Sequence, residues 1–318
     1  MPAEITLAFQ PDLDQTRDAL ASSTLNHGLL LLGDRWTSAV LLGAFTGINR
    51  FEAWQERLKI PRSTLADRLN KLVAMGLVRK RAYQQRPQRF AYHLTRDGLK
   101  LYNHVLMIWM WEQRWGTRKA SLPVQLHHQT CGQAFVPVLC CAACRQKTGI
   151  GDLKLSLQTN PGLLAQALGN AQGRVRTARV AASDATGMGL GLRVDRWSLL
   201  IVTAVILGCH HFDQIGHVLG ISSSVLARRL GGMVESGLLV CQTDQNDARR
   251  NIYRLTPASR DLFGYLVCFS TWASGCLQQT SSIHPTHRGC GKPFVPFVAC
   301  SACSQNARPH EVSFSPVS

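Results

Sequence analysis

Two stretches of this chain, HQTCGQAFVPVLCCAAC (128–144) and HRGCGKPFVPFVACSAC (287–303), place histidine and cysteine at metal-ligand spacing. Aligned on Pro137 and Pro296, the shared donors are His128, Cys131, Cys141 and Cys144, and His287, Cys290, Cys300 and Cys303. The pattern is H-x2-C-x9-C-x2-C, written twice. A Zn²⁺ ion takes four nitrogen or sulfur ligands in a tetrahedron, and a two-residue gap lets one turn aim two of them at one ion. Gly132 and Gly291 follow the first cysteine, where a tight knuckle needs glycine's freedom. Phe135, Val136 and Pro137, with Phe294, Val295 and Pro296, offer apolar support. The expectation is two structural Zn²⁺ sites, each closing the end of its own segment. Structural thiols, a redox disulfide and a lost metal site are the alternatives. Cys140 could replace Cys141, and His127 could replace His128.

Other chemistry is thinner. No glutamate stands beside the ligands as a zinc deaminase requires, and no nucleophile with a base and an orienting acid emerges. The sequence is therefore read as not an enzyme, with a zinc or thiol enzyme as the weakest alternative. Cys209, Cys241, Cys268 and Cys276 follow no ligand spacing. "CHHF" (209–212) is read as a turn, because the matching position reads "INRF". "VLMIWMWEQRW" (105–115) is read as a core or helix-pairing face.

The elements that position these residues come in two copies. Shifted by 161, "DRWTSAVLLGAFTG" (34–47) meets "DRWSLLIVTAVILG" (195–208), and "LKIPRSTLADRLNKLVAMGLV" (58–78) meets "LGISSSVLARRLGGMVESGLL" (219–239). "RFAYHLT" (89–95) likewise meets "RNIYRLT" (250–256). Residues 36–45 read as a buried helix and 51–58 as a short amphipathic one. A third helix puts Leu65, Leu69, Leu72 and Val73 on one face, with Pro61 at its start and Gly76 at its stop. Ser222 and Gly237 mark the same limits in the second copy. Two strand-like runs follow, 77–83 and 89–95, and then a helix from Thr95 to about Trp115.

Helix, helix–turn–helix and hairpin is the winged helix-turn-helix order, in which the second helix of the pair enters the major groove. The chain carries 35 Lys/Arg against 19 Asp/Glu, with the excess present in both halves. That balance suits a polyanionic partner, nucleic acid first and an anionic membrane surface second. The longest apolar run, 197–209, is too short to span a bilayer. The first residues show no basic-then-apolar leader. The expectation is a cytoplasmic protein, nucleoid-associated when bound to DNA, with no membrane role. Eleven cysteines in a reducing compartment point to metal or free thiols.

Asp34-Arg35-Trp36, Arg50-Phe51, Leu65-Ala66-Asp67-Arg68-Leu69, Gly76-Leu77 and the "Y…RP…R…Y.LT" wing resemble the HxlR-type family of bacterial winged helix-turn-helix transcription regulators. The resemblance covers most of 25–116 and, more weakly, 186–277. It implies a sequence-specific regulator of transcription binding double-stranded DNA. Members are typically single units that pair through their terminal helices, so the two copies are expected to pair as an intrachain pseudo-dimer, with a further homodimer and a small-molecule effector left open. A zinc-ribbon-like tail also occurs in the family. Some members sense oxidants through a cysteine near the domain's N-terminus. This chain departs from that pattern, with no cysteine before Cys131 and none between Cys144 and Cys209.

The expected fold class is α+β, mainly α: two winged helix-turn-helix domains in tandem, each followed by a zinc-ribbon-like segment. The limits read as 1–120 and 121–147 for the first domain and ribbon, 148–186 for a linker with a short helix at 161–169, 187–281 and 282–306 for the second pair, and 307–318 for a tail. On a helical wheel, Ser63, Asp67, Asn70 and Lys71 lie opposite the core, with Thr64 beside them. Arg62, Arg68 and the wing residues Arg86 and Arg89 complete the first candidate DNA-contacting set. Arg68 is balanced between bracing the fold and touching DNA. The second set is Ser223, Ser224, Arg228, Arg229, Arg249 and Arg250. Asp67, Asn70 and Lys71 have become Arg228, Gly231 and Gly232, so an asymmetric DNA site is expected. A protein-interaction module built on the ribbons is the alternative function.

Overall fold

A computed structural model describes residues 11–116, 124–173, 195–245 and 247–316. In chain order, α1 (Leu13–Ala21) and α2 (Thr24–Leu32) precede the first winged segment. That segment is α3 (Arg35–Phe45), α4 (Phe51–Leu58), α5 (Arg62–Ala74), the hairpin β1 (Val78–Gln85) and β2 (Gln88–Leu94), then α6 (Arg96–Leu99) and α7 (Tyr102–Trp115). The first cysteine segment forms β3 (Val124–His128), β4 (Gln133–Phe135) and β5 (Pro137–Cys141), and β6 (Leu153–Leu157) and α8 (Pro161–Gly173) follow. The second copy gives α9 (Arg196–Ile206), α10 (Phe212–Leu219), α11 (Ser223–Glu235), the hairpin β7 (Leu239–Thr243) and β8 (Asn251–Leu255), α12 (Pro257–Leu277), β9 (Ile283–His287), β10 (Pro296–Cys300) and β11 (Val312–Pro316).

The mixed α+β architecture with two winged segments agrees with the sequence. Leu65, Leu69 and Leu72 are fully buried under α5, and Leu226, Leu230 and Met233 are their buried counterparts under α11. Gly76 and Gly237 end these helices at φ +69° and +72°, a left-handed conformation that suits glycine. Ser222 occupies the cap position of α11, yet its side chain makes no capping bond. The single helix expected from Thr95 is divided into α6 and α7. In the second copy α12 runs unbroken from Pro257. Gly98, where the second copy has Ser259, lies against the Leu77 carbonyl where a Cβ would collide, and glycine is a poor helix former.

One carboxylate organises each winged segment. Asp34 caps α3 by accepting the Thr37 backbone N–H at 3.1 Å and the Thr37 hydroxyl, and it also accepts from the Arg68 guanidinium of α5 at 2.9 Å. Asp195 repeats the device, capping α9 through Trp197 and Ser198 and accepting from Arg229 of α11 at 2.6 Å. Core packing has been traded between the copies. The Trp54 indole is fully buried and donates to the Val40 carbonyl at 3.1 Å, and a Cβ at Gly43 would collide with it. The second copy has the smaller Ile215 and can carry Ala204 in place of the glycine.

The chain divides into two compact units that cut across the sequence halves. Among the described residues, one draws on 11–31, 140–173, 195–245 and 247–296, the other on 32–116, 124–139 and 297–316. They are called the α11 unit and the α5 unit after their helices. Within the α11 unit, α1 packs on α10, Ser282 Oγ donates to the Ala19 carbonyl, and the Arg196 guanidinium donates to Asn26 Oδ1 at 2.7 Å. The segment read as a linker holds more than its expected helix. β6 pairs antiparallel with β9, from Leu153 opposite His287 to Leu157 opposite Ile283. α8 begins after Asn160, whose Oδ1 accepts the Leu163 N–H at 3.2 Å. Residues 174–186 of the linker reading, and 187–194 of the second domain reading, lie outside the described residues. In the α5 unit, β11 pairs with β3 and β3 with β4. Among the described residues no single helix is long and apolar enough to cross a membrane.

Two stability outcomes follow. Gly231 and Gly232 sit mid-helix on α11 with open space where a Cβ would be. Gly231→Ala and Gly232→Ala are each expected to stabilise by about 0.8–1 kcal/mol in denaturant titration. Arg68→Met and Arg229→Met should each destabilise by about 1 kcal/mol, since a partly buried carboxylate is left without its partner. The exposed Arg62→Ala should stay within about 0.5 kcal/mol.

Candidate metal centres and nucleic-acid face

Each two-residue gap in the cysteine segments is closed by the same turn. The Gly132 N–H donates to the His128 carbonyl and the Gly291 N–H to the His287 carbonyl, both at 2.8 Å, with positive φ at both glycines. Arg145 and Ser304 close the C-x2-C turns in the same way, at 2.7 and 2.8 Å to the Cys141 and Cys300 carbonyls. Both adopt left-handed φ, +61° and +59°.

These turns do not meet within their own segment. His128 and Cys131 converge with Cys300 and Cys303, and Cys141 and Cys144 converge with His287 and Cys290. All four donor atoms of each group lie within 4.8 Å of one another. In the α5 unit, His128 Nδ1 is 3.5 Å from Cys131 Sγ and 3.2 Å from Cys303 Sγ, and Cys131 Sγ is 3.9 Å from Cys300 Sγ. In the α11 unit, His287 Nδ1 is 3.3 Å from both Cys144 Sγ and Cys290 Sγ. Ligands about 2.0–2.3 Å from a tetrahedral Zn²⁺ stand about 3.5–3.8 Å apart. The donor sets fit such an ion in number, type and spacing.

The eight donors expected from the sequence are therefore the eight that cluster, but their grouping is corrected: each centre takes its H-x2-C turn from one repeat and its C-x2-C turn from the other. The physical reason is strand pairing. β11 runs along β3 and carries Cys300 and Cys303 towards His128. β6 runs along β9 and carries Cys141 and Cys144 towards His287. Cys140 and His127 belong to neither group.

The surroundings favour bound metal. His128 and His287 are buried, as are Cys141 and Cys300. The buried Nε2 of His128 lacks a hydrogen bond and lies 3.9 Å from Glu311 Oε2. A histidine that ligates through one nitrogen commonly gives the other N–H to a carboxylate. In each C-x2-C pair the two thiols move in opposite directions, with Cys303 and Cys141 inclined to ionise and Cys300 and Cys144 pushed up. For Cys303 the Gln305 backbone N–H lowers the pKa. For Cys141 burial opposes ionisation, but the Cys144 and Ala143 backbone N–H groups outweigh it. Four protein donors per centre make a closed set suited to structure.

"CHHF" is a turn, as its sequence suggests. His210 and His211 Nδ1 each lie 3.3 Å from a β8 backbone carbonyl, those of Tyr253 and Asn251. In the Trp-rich run, Trp109 and Trp111 are buried in α7.

The outward face of α5 is open. Arg62, Ser63, Asp67 and Asn70 are exposed, and Thr64 and Lys71 half-buried. On α11, Ser223, Ser224, Arg228, Gly231 and Gly232 are exposed. Arg68 and Arg229 are instead turned to Asp34 and Asp195. Arg86 and Arg89 project from the first wing. In the second, Arg249 reaches Asp247 at 3.1 Å, and Arg250 reaches both oxygens of Asp213 at 2.8 Å. One basic group escapes the sequence reading. Arg79, Lys80 and Arg81 on β1 are all exposed, whereas their counterparts on β7 are Val240, Cys241 and Gln242. The run "RKR" is visible, but alternation predicts only every second side chain on the outer face. This hairpin's outer strand is open on both sides after Val78.

The family comparison agrees with the two winged segments. The family model described as HxlR-like helix-turn-helix matches residues 31–120 and 193–281, together more than half of the chain. Uncharacterized HTH-type transcriptional regulators of Mycobacterium tuberculosis and Mycobacterium bovis are 34% identical over 143 residues, covering 45% of this chain and 89% of theirs. A solved Pseudomonas aeruginosa protein described as a transcription factor is 28% identical, with 38% of this chain and 82% of that one covered, at a TM-score of 0.28.

The crossed grouping makes an arithmetic prediction for bound metal. Cys131→Ser and Cys300→Ser should each remove the same one equivalent, and the double variant no more. Cys131→Ser with Cys141→Ser should remove both. Metal analysis of the purified variants checks this, and the reverse pattern would restore local pairing.

Proposed function

The chain belongs to the HxlR-like helix-turn-helix family, whose members here are transcriptional regulators rather than enzymes, and we propose that it binds an asymmetric double-stranded DNA site as an intrachain pseudo-dimer. The observation that carries the reading is the difference between two faces on one scaffold. α5 offers Ser63, Asp67 and Asn70 to base edges, beside the cationic wing of Arg79, Lys80, Arg81, Arg86 and Arg89. α11 offers Ser224 and Arg228 but glycine at the next two positions, beside a wing whose Arg249 and Arg250 are already ion-paired. Asn and Asp match base edges, and Arg and Lys match phosphate or guanine.

In this reading the α5 unit supplies most of the affinity and base selection. The α11 unit supplies a weaker, different half-contact. Both metal centres hold Zn²⁺ in structural roles. Pairing of the two copies is supported by the segments they exchange, and a further homodimer is compatible with it. The protein works in the cytoplasm and on the nucleoid when bound. A second reading, docking of another protein on the ribbons, has one observation in its favour: Val136 and Val295, at matching positions, are 53% and 52% exposed.

Selection from random DNA should return a site without two-fold symmetry. Two equivalent half-sites would sink the proposal, and the absence of any enrichment would favour the docking reading. Alanine at Arg79, Lys80 and Arg81 should weaken binding across sequences and lower the salt slope by about 0.9 for each phosphate no longer neutralised. Asn70→Ala should relax selectivity at one position by about 1–3 kcal/mol.

A further inference from the structure

The α11 unit contains a partly open cavity of about 130 Å³ that neither the metal centre nor the DNA face uses. Its walls come from α9 and α12, closed by Leu25, by Leu155 of β6, by Ile283 and Pro285 of β9, and by Phe294. No charged side chain lines it. Four of its five hydroxyls are already engaged, and the fifth, Ser281 Oγ, accepts the Ile283 N–H at 3.4 Å. Thr203 Oγ1 donates to the Leu199 carbonyl and Thr271 Oγ1 to the Val267 carbonyl, both at 2.8 Å. Ser270 and Ser274 Oγ share hydrogen bonds with Thr24 Oγ1 at 3.1 and 3.0 Å. The cavity therefore presents an apolar interior with few spare donors or acceptors, an environment that holds water poorly.

The duplication provides a second, independent observation. The first repeat has larger residues at four of the matching positions: Leu42 for Thr203, Phe45 for Ile206, Trp109 for Ser270 and Met110 for Thr271. Phe45 and Trp109 are buried in the α5 unit. Larger side chains thus stand in the first repeat at four positions that line the cavity in the second, with Leu42 and Met110 half-buried. A hollow core costs stability, at about 24 cal/mol for each Å³ of residual cavity. In the second repeat the small side chains at these positions open a space of ligand size.

We propose that the α11 unit binds a small uncharged apolar molecule, about one aromatic ring in size, in this cavity. The volume sets the size, since a dry apolar cavity of about 150 Å³ accepts benzene. The lining sets the charge, because an ion would meet no partner there. The occupant would touch α9, which packs against both α11 and β8. Only one of the two units would carry it.

The test uses the full-length, metal-loaded protein with toluene and indole as probes. Near saturation the midpoint of thermal unfolding should rise by roughly 2–4 °C. Ile206→Phe and Ser270→Trp, which install the first repeat's residues, should each abolish the rise. Ile206→Phe is the smaller change and keeps the test intact if Ser270→Trp does not fold. No rise in the wild-type protein with either probe overturns the proposal. A rise that survives Ile206→Phe overturns it too, by placing the probe elsewhere.

Discussion

Four nitrogen and sulfur atoms must come within about 4 Å of one another to hold one ion, and in this molecule each such set is assembled from two remote turns. Cys131 and Cys300, 169 residues apart, lie 3.9 Å apart. Closing so long a loop instead of the nine-residue local one costs only about 2–3 kcal/mol more in chain entropy, because the cost grows with the logarithm of length. Structural zinc binding supplies about 10–16 kcal/mol. The exchanged arrangement is therefore well within reach, and the strand pairs β3–β11 and β6–β9 add their own hydrogen bonds to it. Neither compact unit is complete without segments from both repeats.

The two repeats keep their scaffold and differ at the surface. Asp34 with Arg68, and Asp195 with Arg229, dock the second helix of each pair against the helix that the aspartate caps. These two arginines stand in sequence among the candidate DNA-contacting residues, but their pairing makes them braces. Some interior changes come in compensating pairs, as Gly43 with Trp54 and Ala204 with Ile215 illustrate. Exterior changes need no partner, so Asp67 can become Arg228 and Arg79 can become Val240 without repacking. Physical tolerance of that kind lets one fold carry two different outer faces.

Much of the winged segments was legible from residue type and period. Leu65, Leu69 and Leu72 repeat at helical spacing. Gly76 stops the helix at a φ that other residues avoid, and the "RP" between two strand-like runs marks the turn. Residues whose structure depends on distant partners were harder to read. "LKLSL" (153–157) alternates strictly but over only five residues, inside a stretch rich in Gly, Ala, Ser and Thr that reads as linker. It is a strand because Ile283–His287 offers it an edge about 130 residues away. Arg79, Lys80 and Arg81 share exposure because nothing covers that part of the hairpin.

By itself the sequence determined the eight histidines and cysteines that cluster, the duplication, and the order of helices and hairpins, since all of these rest on short-range spacing and matched positions. Only the tertiary structure decided which of the eight come together. Two segments with the same donor spacing satisfy the same tetrahedron whether their turns pair locally or across the repeats. Sequence spacing is the same in both cases. Strand pairing between residues far apart in the chain breaks that tie, and it is a property of the folded molecule alone.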